Sequence, residues 1–193
     1  MKGSPHILVI LGSTRRGRHG DRVAGWLMSR LQSRSDASFE LADLRDVALP
    51  FFDEPAAPSY GGVASAARDW ATRVDNADGF VFVTPEYNHG YTAVLKNAID
   101  HLYHEWAHKP PTVVTYGGPA AGYRAAEQPR QVLIELKAVP VREQVGIPGV
   151  WTAFDQAGEP TIEGLDASLD RMTAELLWWA NALIPAREHD RAA

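Results

Sequence analysis

Apolar positions in this chain switch repeatedly between unbroken runs and helical spacing. Residues 7–11 form a continuous apolar run, the pattern of a strand buried on both faces of a parallel sheet. Ala24, Leu27, Met28 and Leu31 then recur at helical spacing. A second strand is expected within residues 39–44, followed by an irregular stretch over 50–62 and a helix marked by Ala64, Ala67, Trp70, Ala71 and Val74. Residues 79–83 predict strand three, 112–116 strand four and 141–145 strand five. Between strands three and four, Leu95, Ala98, Ile99, Leu102 and Trp106 share one face of a helix predicted over 92–106 and stopped by Pro110-Pro111. A further helix precedes Lys137, where Pro129 either kinks it or sits in its first turn and delays its start to about Gln128. The last helix is predicted over 165–183. Strands and helices in alternation predict one α/β domain spanning residues 1–193, a doubly wound five-stranded parallel sheet in the order 2-1-3-4-5 with helices on both faces.

That order places a switch point between strands one and three, so the loops after strands one, three and four should meet at one ligand. The first loop is the most informative. Residues 11–20 read Leu-Gly-Ser-Thr-Arg-Arg-Gly-Arg-His-Gly and lie between a strand and a helix, where free backbone N–H groups and the positive helix end favour an anion. Gly12, Gly17 and Gly20 allow tight turning, Ser13 and Thr14 offer hydroxyls, and Arg15, Arg16 and Arg18 offer guanidinium charge suited to phosphate. A nucleoside triphosphate loop is excluded because Arg18 and His19 replace its lysine and hydroxyl, and the first two glycines of a dinucleotide fingerprint are missing. In the second loop Tyr87 offers a flat aromatic face and Asn88 an amide; in the third, Gly117 and Gly118 permit close backbone approach after Tyr116. A planar, amide-bearing ring joined to one phosphate meets these demands, which points to flavin mononucleotide (FMN).

With Gly12-Ser13-Thr14-Arg15, Pro85-Glu86-Tyr87-Asn88-His89-Gly90, Lys96-Asn97-Ala98-Ile99-Asp100 and Tyr116-Gly117-Gly118, the chain resembles the NADPH-dependent FMN reductase family of flavodoxin-like proteins, which includes quinone, azo-dye and chromate reductases. The resemblance implies that Ser13, Arg15 and Arg18 take the FMN phosphate. It also implies that Pro85, Glu86, Tyr87 and Asn88 hold the isoalloxazine and ribityl chain, and that Tyr116, Gly117 and Gly118 close over the pyrimidine edge. Many relatives carry serine or asparagine near position 20; with Gly20 here, one phosphate bond passes to a backbone N–H or is lost. The implied activity is NAD(P)H-dependent reduction of flavins, quinones or other small electron-poor acceptors by ping-pong hydride transfer. His89 beside the flavin loop and Arg16, suited to the 2′-phosphate of NADPH, are the candidate substrate contacts. The alternatives are a flavodoxin-type electron carrier without nicotinamide binding and a flavin-free regulatory protein of the same fold. A homodimer or homotetramer is expected, because the apolar stripe of the helix predicted over 92–106, ending in Tyr103 and Trp106, is wider than one sheet face requires.

Composition narrows the setting. At 193 residues with 45% hydrophobic and 22% charged positions, the chain suits one substantial core. It has no cysteine, which excludes disulfides and thiolate chemistry. No apolar run approaches the roughly 20 residues of a membrane span, and the N-terminal residues lack a signal-peptide core, so a cytoplasmic protein without a membrane partner is expected. The net charge is −5 with no dense basic face, which argues against a nucleic-acid partner. His101, His104 and His108 fall on one side of the helix predicted over 92–106, yet no carboxylate-rich motif accompanies them and no metal site is expected. Asp53-Glu54 reads as a solvated loop, and Trp26, Trp70, Trp178 and Trp179 as packing residues.

Overall fold

Alternation along the central strands decides where the helices lie. The computed structural model describes residues 4–192. Its strands are β1 (His6–Leu11), β2 (Ser38–Asp43), β3 (Gly79–Pro85), β4 (Pro111–Tyr116) and β5 (Val145–Ile147), all parallel in the order β2-β1-β3-β4-β5, as predicted. The helices are α1 (Gly20–Leu31), α2 (Leu44–Val47), α3 (Pro58–Gly61), α4 (Arg68–Asn76), α5 (Ala93–Asp100), α6 (Arg124–Glu135) and α7 (Leu165–Ala192). Ile7, Val9, Leu11, Val81 and Val83 face one side of the sheet and pack with α1 and α7. Leu8, Ile10, Phe80 and Phe82 face the other and pack with α4, α5 and α6. Period two along each strand thus feeds two separate cores, which is why the strands read as unbroken apolar runs.

The structure redraws four elements. The helix predicted over 92–106 ends at Asp100, and a separate 3-10 turn, His104–Trp106, carries the rest. Trp106 is fully buried there, its ring 4.9 Å from that of Phe80 and its indole N–H donating to Ile99 O at 3.2 Å, so it completes the sheet core and leaves no surface stripe. The same break takes His101, His104 and His108 off a common helical face, and no cluster of three metal-capable side chains occurs among the described residues. Strand five forms at Val145–Ile147, later than expected, because Val141 N bonds Pro111 O while Arg130 draws the Val141 and Arg142 carbonyls out of the ladder. Pro129 is interior to α6, which starts at Arg124, so the helix start is not delayed. Helix α7 runs past residue 183 because Arg187 is anchored by Asp78 at 2.5 Å and by His108 O at 3.1 Å.

One ion pair ties the loop after β1 to the end of β2. The Arg18 side chain is 3% exposed, and its guanidinium grips both oxygens of Asp43, one at 2.8 Å, while Nε donates to Asp21 at 2.7 Å and Nη1 to the Ser13 carbonyl. Burial pushes the Asp43 carboxyl up, but the Arg18 hydrogen bonds, the Arg45 backbone N–H and the two arginine charges outweigh it and hold the pKa below the usual carboxylate value. A carboxyl depressed in the folded state contributes stability that is complete above its unfolded pKa and disappears as pH falls through the folded value. Denaturant titrations from pH 7 to pH 3 should therefore show Asp43→Asn destabilised by about 2–3 kcal/mol at neutral pH. Below about pH 4 its gap from wild type should shrink, because the wild-type carboxyl becomes protonated.

Candidate functional site

Three loops meet at the carboxyl ends of β1, β3 and β4, and the chain fastens them to one another. Gly12 N donates to Val83 O at 2.8 Å, and a Cβ at Gly12 would sit 3.2 Å from that oxygen and 3.1 Å from Leu95, so only glycine follows β1 without displacement. Thr92 caps α5 by accepting from Leu95 N at 3.2 Å, and its hydroxyl donates to Gly12 O. Ser13 Oγ and Tyr87 Oη lie 3.1 Å apart, and Glu86 N donates to Tyr116 O at 3.3 Å. On the third side, Gly117 N reaches Ile147 O at 3.1 Å and Val150 N reaches Gly117 O at 3.0 Å.

The motif Tyr87-Asn88-His89-Gly90 is a two-residue reverse turn, closed by Tyr87 N to Gly90 O at 2.8 Å and Gly90 N to Tyr87 O at 3.0 Å. Both central residues are left-handed, Asn88 at φ 51° and His89 at φ 69°. Asparagine tolerates that region, whereas histidine bears strain of roughly 1–2 kcal/mol there. The turn is braced from behind by Gln128, whose amide donates to His89 O at 3.5 Å, and it presents Tyr87, Asn88 and His89 to solvent.

Ser13, Arg15, Arg18, Pro85, Glu86, Tyr87, Tyr116, Gly117 and Gly118 line a single cleft that is open to solvent. Asn88 and His89 stand on the exposed turn that continues this wall, and Arg16 is exposed on the first loop without lining the cleft. Arg18 is present but already engaged: its guanidinium shapes the loop through Asp43, Asp21 and Ser13, which leaves Arg15 as the exposed guanidinium of the wall. Gly20 is buried against the Tyr116 phenol at the start of α1. Three lining residues, His19, Val150 and Trp151, were not read from the sequence. Trp151 lies in a turn after Pro148-Gly149 and outside any helical repeat, which is the signal that distinguishes it from the packing tryptophans.

Polar groups at this cleft are incompletely satisfied. Of four buried side-chain atoms without a hydrogen-bond partner among the described residues, two belong to lining residues, Glu86 Oε2 and Tyr116 Oη. The other Glu86 oxygen accepts from Arg124 Nε at 2.6 Å. Burial, with the Tyr87 phenol next, raises the Tyr116 pKa well above the usual tyrosine value against a lowering influence from Ser13, so its oxygen keeps a proton to donate. Orphaned polar atoms are rare in folded proteins and are accounted for when a ligand supplies the missing partner. The donor set suits FMN. Ser13, Arg15 and the α1 N-terminus put hydroxyl, guanidinium and the positive helix end on one side of the cleft, while Gly117, Gly118 and the half-exposed rings of Tyr87 and Trp151 give the other side a flat, apolar character.

Comparison with known proteins agrees with this geometry. Residues 5–152 match the family model described as NADPH-dependent FMN reductase. An NAD(P)H-dependent FMN reductase of Schizosaccharomyces pombe is 39% identical over 153 residues, covering 77% of this chain and 76% of its own length. A quinone reductase of Escherichia coli K12 is 32% identical over 178 residues, covering 88% and 90%. Among solved structures, the flavoenzyme NAD(P)H:(acceptor) oxidoreductase of Paracoccus denitrificans superposes with a TM-score of 0.74 at 20% identity, covering 93% of this chain and 98% of that one, which establishes the shared fold. The chain thus belongs to the NADPH-dependent FMN reductase family and is a flavodoxin-like oxidoreductase whose class works with FMN and NAD(P)H.

Proposed function

We propose that this protein holds FMN across the three loops and uses NAD(P)H to reduce a small, quinone-like or otherwise electron-poor acceptor on the one face of the ring left open. The observation that carries this reading is the convergence of a phosphate-type loop, an aromatic turn and a glycine pair on one cleft. Ser13 and Arg15 hold the phosphate end, with Arg18 setting the shape of the loop around them. Pro85, Glu86, Tyr87 and Asn88 flank the ring and ribityl chain, and the backbone of Tyr116, Gly117 and Gly118 lies along the pyrimidine edge. When bound, FMN supplies the two-electron redox chemistry that no side chain here provides. The protein's part is to orient the partners and to leave a surface, bounded by Tyr87, His89 and Trp151, where a second planar ring can stack. Arg16, whose guanidinium is exposed, meets the 2′-phosphate of NADPH in this reading, which favours NADPH over NADH. A homodimer is supported by Phe51 and Tyr60, 78% and 92% exposed, on the segment that Asn97 of α5 pins through Phe52 N at 2.9 Å.

Three measurements test these statements. Arg15→Ala should weaken FMN by about tenfold or more while leaving riboflavin, which lacks the phosphate, unchanged in a fluorescence titration. Equal loss for both would remove Arg15 from the phosphate end. Nicotinamide and acceptor share one open face and must take turns, so double-reciprocal plots at several acceptor concentrations should be parallel, and intersecting lines would require a ternary complex. Sedimentation at micromolar concentration should give a dimer or tetramer; a 21.2 kDa species would exclude both.

A further inference from the structure

We infer that the Tyr116 hydroxyl is itself a phosphate-binding group, supplied from β4 to the place that the side chain at position 20 would otherwise occupy. The inference rests on the FMN reading above and adds a ligand to it. Gly20 is the first residue of α1, and a Cβ there would lie 2.5 Å from Tyr116 Oη and 3.0 Å from Leu11 Cδ1. A side chain at position 20 and the phenol therefore exclude each other. The phenol occupies the shared volume and delivers its oxygen beside Ser13 to the start of α1, the helix end whose dipole favours an anion.

Tyr116 is 3% exposed, and its hydroxyl has no hydrogen-bond partner among the described residues. Ser13, its polar neighbour, makes no hydrogen bond of normal geometry to it and pairs with Tyr87 Oη instead. Asp21 and Asp43 are both taken up by Arg18 and do not accept from the phenol. A phenol that keeps its proton can donate, and the phosphate oxygens, mostly ionised at neutral pH, accept, so the two complement each other. The hydroxyl is buried beside Ser13 and Arg18 of the irregular stretch 12–19, and the phosphate reaches it by adjustment of that loop while α1 stays in place. Tyr116 then serves both ends of the ligand. Its carbonyl holds Glu86 N at the ring end, and its side chain reaches the phosphate end.

Apoprotein titrated with FMN and with riboflavin, read by flavin fluorescence, tests this in wild type, Tyr116→Phe, Gly20→Ser and the double variant. Tyr116→Phe should bind FMN on the order of tenfold more weakly with riboflavin unchanged. Its apo Tm should equal or exceed that of wild type, because an unpartnered buried hydroxyl has been removed. Gly20→Ser alone should also weaken FMN, since the new side chain collides with the phenol, whereas adding Gly20→Ser to Tyr116→Phe should restore binding by returning a hydroxyl to the same place. Unchanged FMN affinity in Tyr116→Phe would overturn the inference. So would equal loss of both flavins with a lowered apo Tm, the mark of a structural role. Wild-type protein that binds neither flavin would instead overturn the FMN reading itself.

Discussion

Reversal of strand order between β1 and β3 is the constraint on which the site depends. β1 pairs with β2 on one side and β3 on the other, and right-handed crossovers send the chain leaving β1 to one face of the sheet and the chain leaving β3 to the opposite face. The two connections part at the carboxyl ends of adjacent strands, and neither helix can fill the gap between them. The gap becomes the cleft. At its edge β1 passes so close to β3 and α5 that only glycine fits at position 12, between Val83 O and Leu95.

Within that gap the loops are positioned by a few buried polar contacts. Thr92 joins the start of α5 to Gly12, and Arg18 joins the loop after β1 to the end of β2. Desolvating an ion pair offsets most of its attraction, so the Arg18–Asp43 pair is better understood as a device for loop shape than as a source of net stability. It also separates the arginines of this loop: Arg18, paired with carboxylates, fixes the loop's shape, while Arg15 and Arg16 stay exposed. The unpartnered oxygens of Glu86 and Tyr116 follow from the same arrangement, because the surrounding donors and acceptors are already paired with each other.

Much of this architecture was legible from the chain because strands buried on both faces leave unbroken apolar runs, and residues 7–11 and 79–83 are of that kind. The three site loops were legible for a related reason, since polar and glycine-rich residues at strand ends have no packing role to explain them. Periodicity misled where two causes produce the same spacing. Trp106 falls at a helical position in the sequence, but a break at Asp100 and a 3-10 turn bring it onto Phe80.

Sequence alone therefore determined the fold class, the strand order and which loops meet at one cleft, because each depends on local pattern and on the handedness of connections. The roles of individual side chains were decided by tertiary structure. Three arginines in residues 15–18 are equivalent in one dimension, and only β2 pairing, which brings in Asp43 from 25 residues away, separates Arg18 from the others. Likewise, Gly20 reads as a lost contact until β4 places the Tyr116 phenol 2.5 Å from where its Cβ would be. Partners so distant along the chain leave no periodic trace, since their contact exists only after the sheet has brought the strands together.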